Sequence, residues 1–281
     1  MLWNKIKDLL SKNLKTYTMI LALVIIWLLF GYLTDWVFFK PRNMSNLFRQ
    51  MTIVSFLSIG MVLIIVTGNI DLSVGSAVGL VSATTAYLHV IVLPPLIESM
   101  FPGAEIFTRS VINTAISILA GLSVGAIIGV MQGTIVAYLG VPAFIVTLGG
   151  MLIFRGGVLG VTQGKTIVPI EDTFRLIAQG YLPNSWGTAL GIITVTVIFL
   201  SLFYGRIQKA KYGFQLNPLY LDILKATFFS ALVIVFVSVM NSYRGVPVPV
   251  LLMAIVALIF TYITDNTKLG RYAYALGGNK E

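Results

Sequence analysis

The 281-residue chain is 57% hydrophobic and only 10% charged, with a mean hydropathy of +0.93 and a net charge of +9. Soluble domains carry about 25% charged residues, so this composition excludes an ordinary soluble enzyme and a disordered chain and leaves a polytopic α-helical membrane protein. The chain has no cysteine and a single histidine, His89, which excludes disulfides, thiol nucleophiles and a metal centre built on cysteines or clustered histidines.

Apolar runs fall at about 17–34, 51–67, 72–93, 111–131, 143–162, 188–204, 223–241 and 248–263. A bilayer span takes about 20 residues, so the expected fold is all-α, a transmembrane bundle of about eight spans. Residues 1–16 form a basic N-terminal segment, 17–263 the membrane domain and 264–281 a polar tail. The first run follows Lys5, Lys7, Lys12 and Lys15 as a signal peptide would. It is too long for one and lacks a small-residue cleavage site, so it reads as a retained helix. With both termini inside, the inner segments and their helix edges hold eleven of the nineteen Lys and Arg residues and the outer ones eight. That bias favours N-in and C-in. The basic residues lie in short clusters between apolar runs, including Arg206, Lys209 and Lys211, and not in one patch, so nucleic acid is not an expected partner. That loop reads as an orientation signal, with contact to anionic lipid as its second use.

Taken along the chain, the first internal signal is Gly68-Asn-Ile-Asp-Leu-Ser-Val-Gly-Ser76, a short polar stretch between two spans. Irregular backbone at membrane depth is tolerated only against protein or a water-filled cavity. Asp71 or Ser73 can cap the following helix; alternatively Asn69, Asp71 and Ser73 line a path through the membrane, since intramembrane carboxylates are functional candidates. His89, near an outer span end, reads as a satisfied or interfacial histidine. Gly121, Gly125, Gly129 and Gly133 share one helix stripe, and Gly75 and Gly79 repeat the spacing; small-residue stripes let helices approach closely. In Pro142–Phe154 the expected path residues are Phe144 and Thr147, and Arg155 follows, either snorkelling to the outer interface or paired inside the membrane. Gly160-Val-Thr-Gln-Gly164-Lys165-Thr166 looks superficially like a phosphate-binding loop, but its glycines are too close and it leaves a membrane span instead of a strand.

Asn69-Ile-Asp-Leu-Ser-Val-Gly-Ser76, Val141-Pro-Ala-Phe-Ile-Val-Thr-Leu-Gly-Gly-Met151 with Phe154-Arg-Gly156, and Tyr274-Ala-Leu-Gly-Gly-Asn279 occur in this order. Together they resemble the permease subunits of bacterial ABC importers for monosaccharides, the ribose/xylose/galactose branch. Asn43-Met-Ser-Asn-Leu-Phe-Arg-Gln50 is also similar to that family, and Tyr181-Leu-Pro183 and Tyr243-Arg-Gly-Val-Pro247 are most similar to its xylose members. The resemblance covers about residue 40 to the end. It implies a multi-pass subunit of the cytoplasmic membrane that translocates a monosaccharide, xylose or a related pentose, and is not itself an enzyme. It further implies a separate ATPase that uses the ATP, an extracytoplasmic sugar-binding protein and a second permease copy, with no cofactor or metal in this chain. Gly277, Gly278, Asn279 and Glu281 match the start of the family's ATPase-coupling segment. Its remainder lies beyond Glu281, so the resemblance implies a C-terminally incomplete permease. An ion-coupled secondary sugar transporter is the alternative. It needs titratable residues at the bilayer midplane and usually internal repeats, and only Asp71 and His89 offer the former. Thr67, Asn69, Ser73, Thr147 and Gln163 are the polar groups expected to meet a neutral sugar.

Overall fold

A computed structural model describes residues 14–216 and 218–278, and these fold almost entirely as helices, with no strand among them. Seven of the helices are long and apolar enough to cross a membrane. The first apolar run forms α1 (Leu14–Leu33), whose apolar stretch from Thr18 is shorter than those seven. Isolated apolar helices gain nothing from hiding their side chains in lipid, which is as apolar as they are. Accordingly Leu, Ile, Val and Phe side chains stand exposed along every long helix, while serines, threonines, Asn113, Gln132 and His89 are among the buried residues. The core is thus made where polar and small groups must find partners.

The chain divides into two compact units. The first comprises residues up to Phe48 together with Leu182–Val246. It contains α1, a single 3-10 turn at Val37–Phe39, the start of α2 (Pro41–Val66), α8 (Asn184–Lys211) and α9 (Leu219–Asn241). Thr34 turns the chain after α1, its hydroxyl accepting the Phe38 N–H at 3.1 Å. Met44, Met240 and Val246 form the buried centre, with Phe48 edge-on to Phe236 at 4.9 Å. Glycines let α8 lie against α9: a Cβ on Gly191 would stand 3.1 Å from Val237, and one on Gly187 2.9 Å from Asn241. Gly245, at φ +100°, makes the turn after α9 beside the Leu182 carbonyl, a conformation and a closeness open only to glycine.

The second unit comprises Arg49–Tyr181 and the residues from Pro247 onward. After the rest of α2 come α3 (Val74–Tyr87), a π-helical turn at Leu88–Val92, α4 (Leu93–Met100), α5 (Ile106–Ala137), α6 (Ala143–Thr162), α7 (Asp172–Gln179), α10 (Val248–Asn266) and α11 (Lys268–Gly278). α3, the π turn and α4 run on as one span, Val74–Met100. α3 packs chiefly against α6 and α5. The connection between α6 and α8 contains α7, a short amphipathic helix tied to α5 by Ser110 and Thr114, each 2.7 Å from the Thr173 hydroxyl. It was hidden in the sequence because its charges balance and it is too short and polar to span. α11 folds back on α10, with Gly270 against the Thr264 carbonyl.

Candidate functional site

The site is built on a break between two spans. α2 ends at Val66, and Gly68 at φ +77° donates its N–H to Ile65 while the Asn69 N–H reaches Ile64 at 3.2 Å. A glycine in the left-handed region is the common way to close a helix C-terminus. The chain then runs without helical hydrogen bonds until α3 begins at Val74. Its backbone groups need partners from elsewhere, and α6 supplies one: the Thr147 hydroxyl accepts the Leu72 N–H at 3.1 Å and lies 3.3 Å from the Ile70 carbonyl.

Asp71 organises the end of this break. One carboxylate oxygen accepts both the Ser73 N–H and the Ser73 hydroxyl, each at 2.7 Å. Of the two residues expected to cap the helix, Asp71 accepts a backbone N–H at its start, that of Ser73. Ser73 occupies the N-cap position, but its side chain bonds none of the α3 N–H groups. It is instead the middle of a buried relay in which Gln132 Nε2 donates to Ser73 Oγ at 3.0 Å and Ser73 donates to Asp71. The relay orders Ser73 and engages one of the two Asp71 carboxylate oxygens. Gln132 reaches Ser73 because Gly150 of α6 leaves room; a Cβ there would collide with Gln132 Nε2.

Around this relay lies a cavity of about 260 Å³, lined by Thr67, Asn69, Asp71, Gln132 and Thr147, by Gly129 and Gly133, and by Ile64, Ile70, Val136 and Ala143. Asn69 Nδ2 is held at 3.0 Å by Thr67 Oγ1, whose own proton goes to the Ile64 carbonyl. Hydroxyls and amides on an apolar wall, with one carboxylate already occupied by two donors, suit a small neutral polyhydroxyl ligand. Of the residues expected from sequence, Thr67, Asn69, Asp71 and Thr147 come together here, with Ser73 just behind them. Phe144 points its ring outward and Arg155 is exposed with no acceptor on it among the described residues, so neither reaches this cavity. Gln163 ends α6 on the far side from Thr147.

The glycine stripe has two environments. A Cβ on Gly121 would collide with the Thr85 hydroxyl, whereas one on Gly125 would stand 3.8 Å from Val81 and one on Gly79 3.4 Å from Val158, ordinary van der Waals contact. A Cβ on Gly129, Gly133 or Gly75 would meet nothing within 4 Å, and the first two line the cavity. Gln132 was missed in sequence reading because it was placed past the end of the 111–131 run. The helix continues to Ala137, and the signal was a lone amide between Gly129 and Gly133. Gly277 of α11 packs on the Val66 carbonyl, directly before the broken segment, and Gly278 closes the helix. Asn279 and Glu281 lie outside the described residues, as does most of the N-terminal segment.

A second polar cluster surrounds His89 in the π turn. His89 Nδ1 is 3.1 Å from Ser117 Oγ, and Ser117 gives its proton to the Asn113 carbonyl at 2.7 Å, so Nδ1 is the donor. Nε2 has no hydrogen-bond partner and lies 3.8 Å from a Glu171 oxygen that Ser110 also donates to. The Gly160–Thr166 segment is the last turn of helix α6 and the turn after it, with no strand before it, unlike a phosphate-binding loop.

Residues 43–179 match the family described as branched-chain amino acid transport system / permease component. The xylose transport system permease protein of Haemophilus influenzae is 38% identical over 269 residues, covering 96% of this chain and 67% of that protein. Its counterpart in Escherichia coli K12 is 36% identical over 272 residues, 96% of this chain and 64% of the other. The ribose import permease protein of the same organism is 31% identical over 243 residues, 86% and 52% respectively. The chain thus spans about two thirds of the length of the xylose permeases it matches and half that of the ribose permease. No solved structure matches it.

Proposed function

This chain belongs to the permease family that these matches define and is a multi-pass inner-membrane protein, and on that premise we propose that it is the membrane subunit of an ATP-driven importer for a monosaccharide, xylose or a related pentose. The observation that carries the reading is the cavity at the α2–α3 break, where hydroxyl and amide groups surround one carboxylate already engaged by Ser73. A neutral sugar needs donors and acceptors on an apolar wall, and no fixed counter-charge. Thr67, Asn69, Gln132 and Thr147 would exchange hydrogen bonds with its hydroxyls. Asp71 would hold Ser73 and present one free carboxylate oxygen.

In this reading the chain has no nucleotide site, cofactor or catalytic set of its own. A partner ATPase uses ATP, an extracytoplasmic binding protein delivers the sugar, and a second copy of the permease completes the pore. The coupling segment would begin at Gly277, Gly278, Asn279 and Glu281. The packing of Gly277 on the Val66 carbonyl supports this, because a push on α11 would reach the residue next to Thr67 with no flexible side chain between. The ion-coupled alternative is disfavoured at Asp71, whose carboxylate already accepts two hydrogen bonds within its own turn.

The test is uptake of labelled xylose into proteoliposomes containing the protein, its ATPase and the binding protein. Uptake is expected to need hydrolysable ATP inside and to survive a protonophore. Uptake that collapses with the protonophore while ATP is intact would establish the ion-coupled mechanism instead.

A further inference from the structure

The end of α8 and the start of α9 enclose a pocket of about 270 Å³ that the transport reading does not use. Its polar lining is Ser201, Arg206, Lys209, Asp222 and Lys225, and Ile198, Leu202, Leu216 and Ala226 form apolar walls. Arg206 and Asp222, both partly buried, pair across the two helices. Lys209 and Lys225 are exposed at the rim, with no acceptor bonded to either among the described residues. Three cations against one carboxylate give the pocket two uncompensated positive charges.

The surroundings fix its depth in the membrane. Tyr204, Tyr212, Phe214 and Tyr220 all stand exposed around the same helix ends. Aromatic rings and basic residues where apolar spans end mark the membrane–water interface. A basic cluster that only sets orientation needs no pocket, no aliphatic walls and no arginine held beside it by a carboxylate.

We propose that this pocket binds the headgroup phosphate of an anionic phospholipid. Lys209 and Lys225 bond the phosphate oxygens, the Asp222-held Arg206 adds a positive field from behind, and the acyl chain descends along Ile198 and Leu202. A soluble phosphate ester shares the charge, but the apolar walls and aromatic rim select the lipid. Basic pockets between spans are a recurrent site for such headgroups.

The test uses the full chain in nanodiscs of phosphatidylcholine doped with phosphatidylglycerol or cardiolipin, with retained lipid counted by native mass spectrometry. The anionic lipids are expected to be retained over phosphatidylcholine. The double variant Lys209→Ala/Lys225→Ala is expected to lose about 30-fold in that affinity, at about fivefold per interfacial lysine. Lys209→Arg/Lys225→Arg is expected to keep it, and all three proteins should melt alike, since both lysines are exposed. Glycerol phosphate at matched concentration is expected not to displace phosphatidylglycerol. Equal retention of both lipid classes, or an unchanged double variant, would overturn the proposal. So would displacement by glycerol phosphate, which makes this a soluble-phosphate site. Loss of ATPase co-purification in the double variant with lipid retention intact would also overturn it, in favour of a protein contact.

Discussion

Asp71 shows how one side chain can be necessary for its oxygens and not for its charge. A single oxygen accepts the Ser73 N–H and hydroxyl, and Ser73 in turn accepts from buried Gln132. Asparagine retains that acceptor oxygen, so Asp71→Asn is expected to keep uptake within about threefold, since Asn and Asp are comparable in this local role. Asp71→Ala leaves the Ser73 N–H without its acceptor, while the hydroxyl can turn to Gln132 Oε1 at 3.2 Å, and is expected to lower stability by about 1–3 kcal/mol and to abolish most uptake. Thermal melting in detergent and transport in proteoliposomes read the two effects separately. A well-folded Asp71→Asn variant with no uptake would show that the charge itself is used. Asn69, Asp71 and Ser73 were legible in the sequence because polar residues between apolar runs stand out, and Thr147 as a hydroxyl inside one. Gln132 was not, because its role depends on Gly150 of another helix leaving it space.

At the level of elements, the glycine stripe on α5 divides between packing and vacancy. Gly121 meets Thr85 of α3, and a leucine there forces the two helices apart at a cost of about 1–3 kcal/mol for overpacking. Gly133 meets nothing within 4 Å and borders the cavity. Alanine at that position removes backbone freedom from the unfolded helix, so Gly133→Ala is expected to raise stability by about 0.5–1 kcal/mol while lowering uptake severalfold by filling the cavity. Gly121→Leu should show the reverse order of damage, assembly first. Equal melting temperatures for Gly121→Leu and wild type, or unimpaired uptake by Gly133→Ala, would refute the division. Spacing of four residues was legible as a stripe; which half of it packs depends on where α3 and α6 lie, and the sequence of α5 does not contain that.

At the scale of the molecule, the hydrophobic effect that normally sorts side chains inward is absent between helices in lipid. Helices apolar all round lose the periodic signal that tells an inner face from an outer one. The spans were therefore readable as runs, while their packing was not. What the runs do carry is orientation. By the eleven-to-eight distribution of Lys and Arg, the N-terminus and the 205–222 connection are expected on the cytoplasmic side. In that orientation the turn after α4 around Pro102 and the start of α8 at Ser185 would face outward, and Lys209, at the other end of α8, inward. Reporter fusions at Pro102, Ser185 and Lys209 are expected to read out, out and in, with a fusion at Ser11 reading in. Ser185 and Lys209 bracket a single helix, so opposite signals there establish that α8 crosses the membrane, independently of how α1 is disposed. An outside signal at Lys209 with an inside signal at Ser185 would invert the orientation. It would also place the α8–α9 basic pocket on the outer leaflet and the α2–α3 break at the outer mouth, where a delivered sugar would meet Asn69 and Asp71 first.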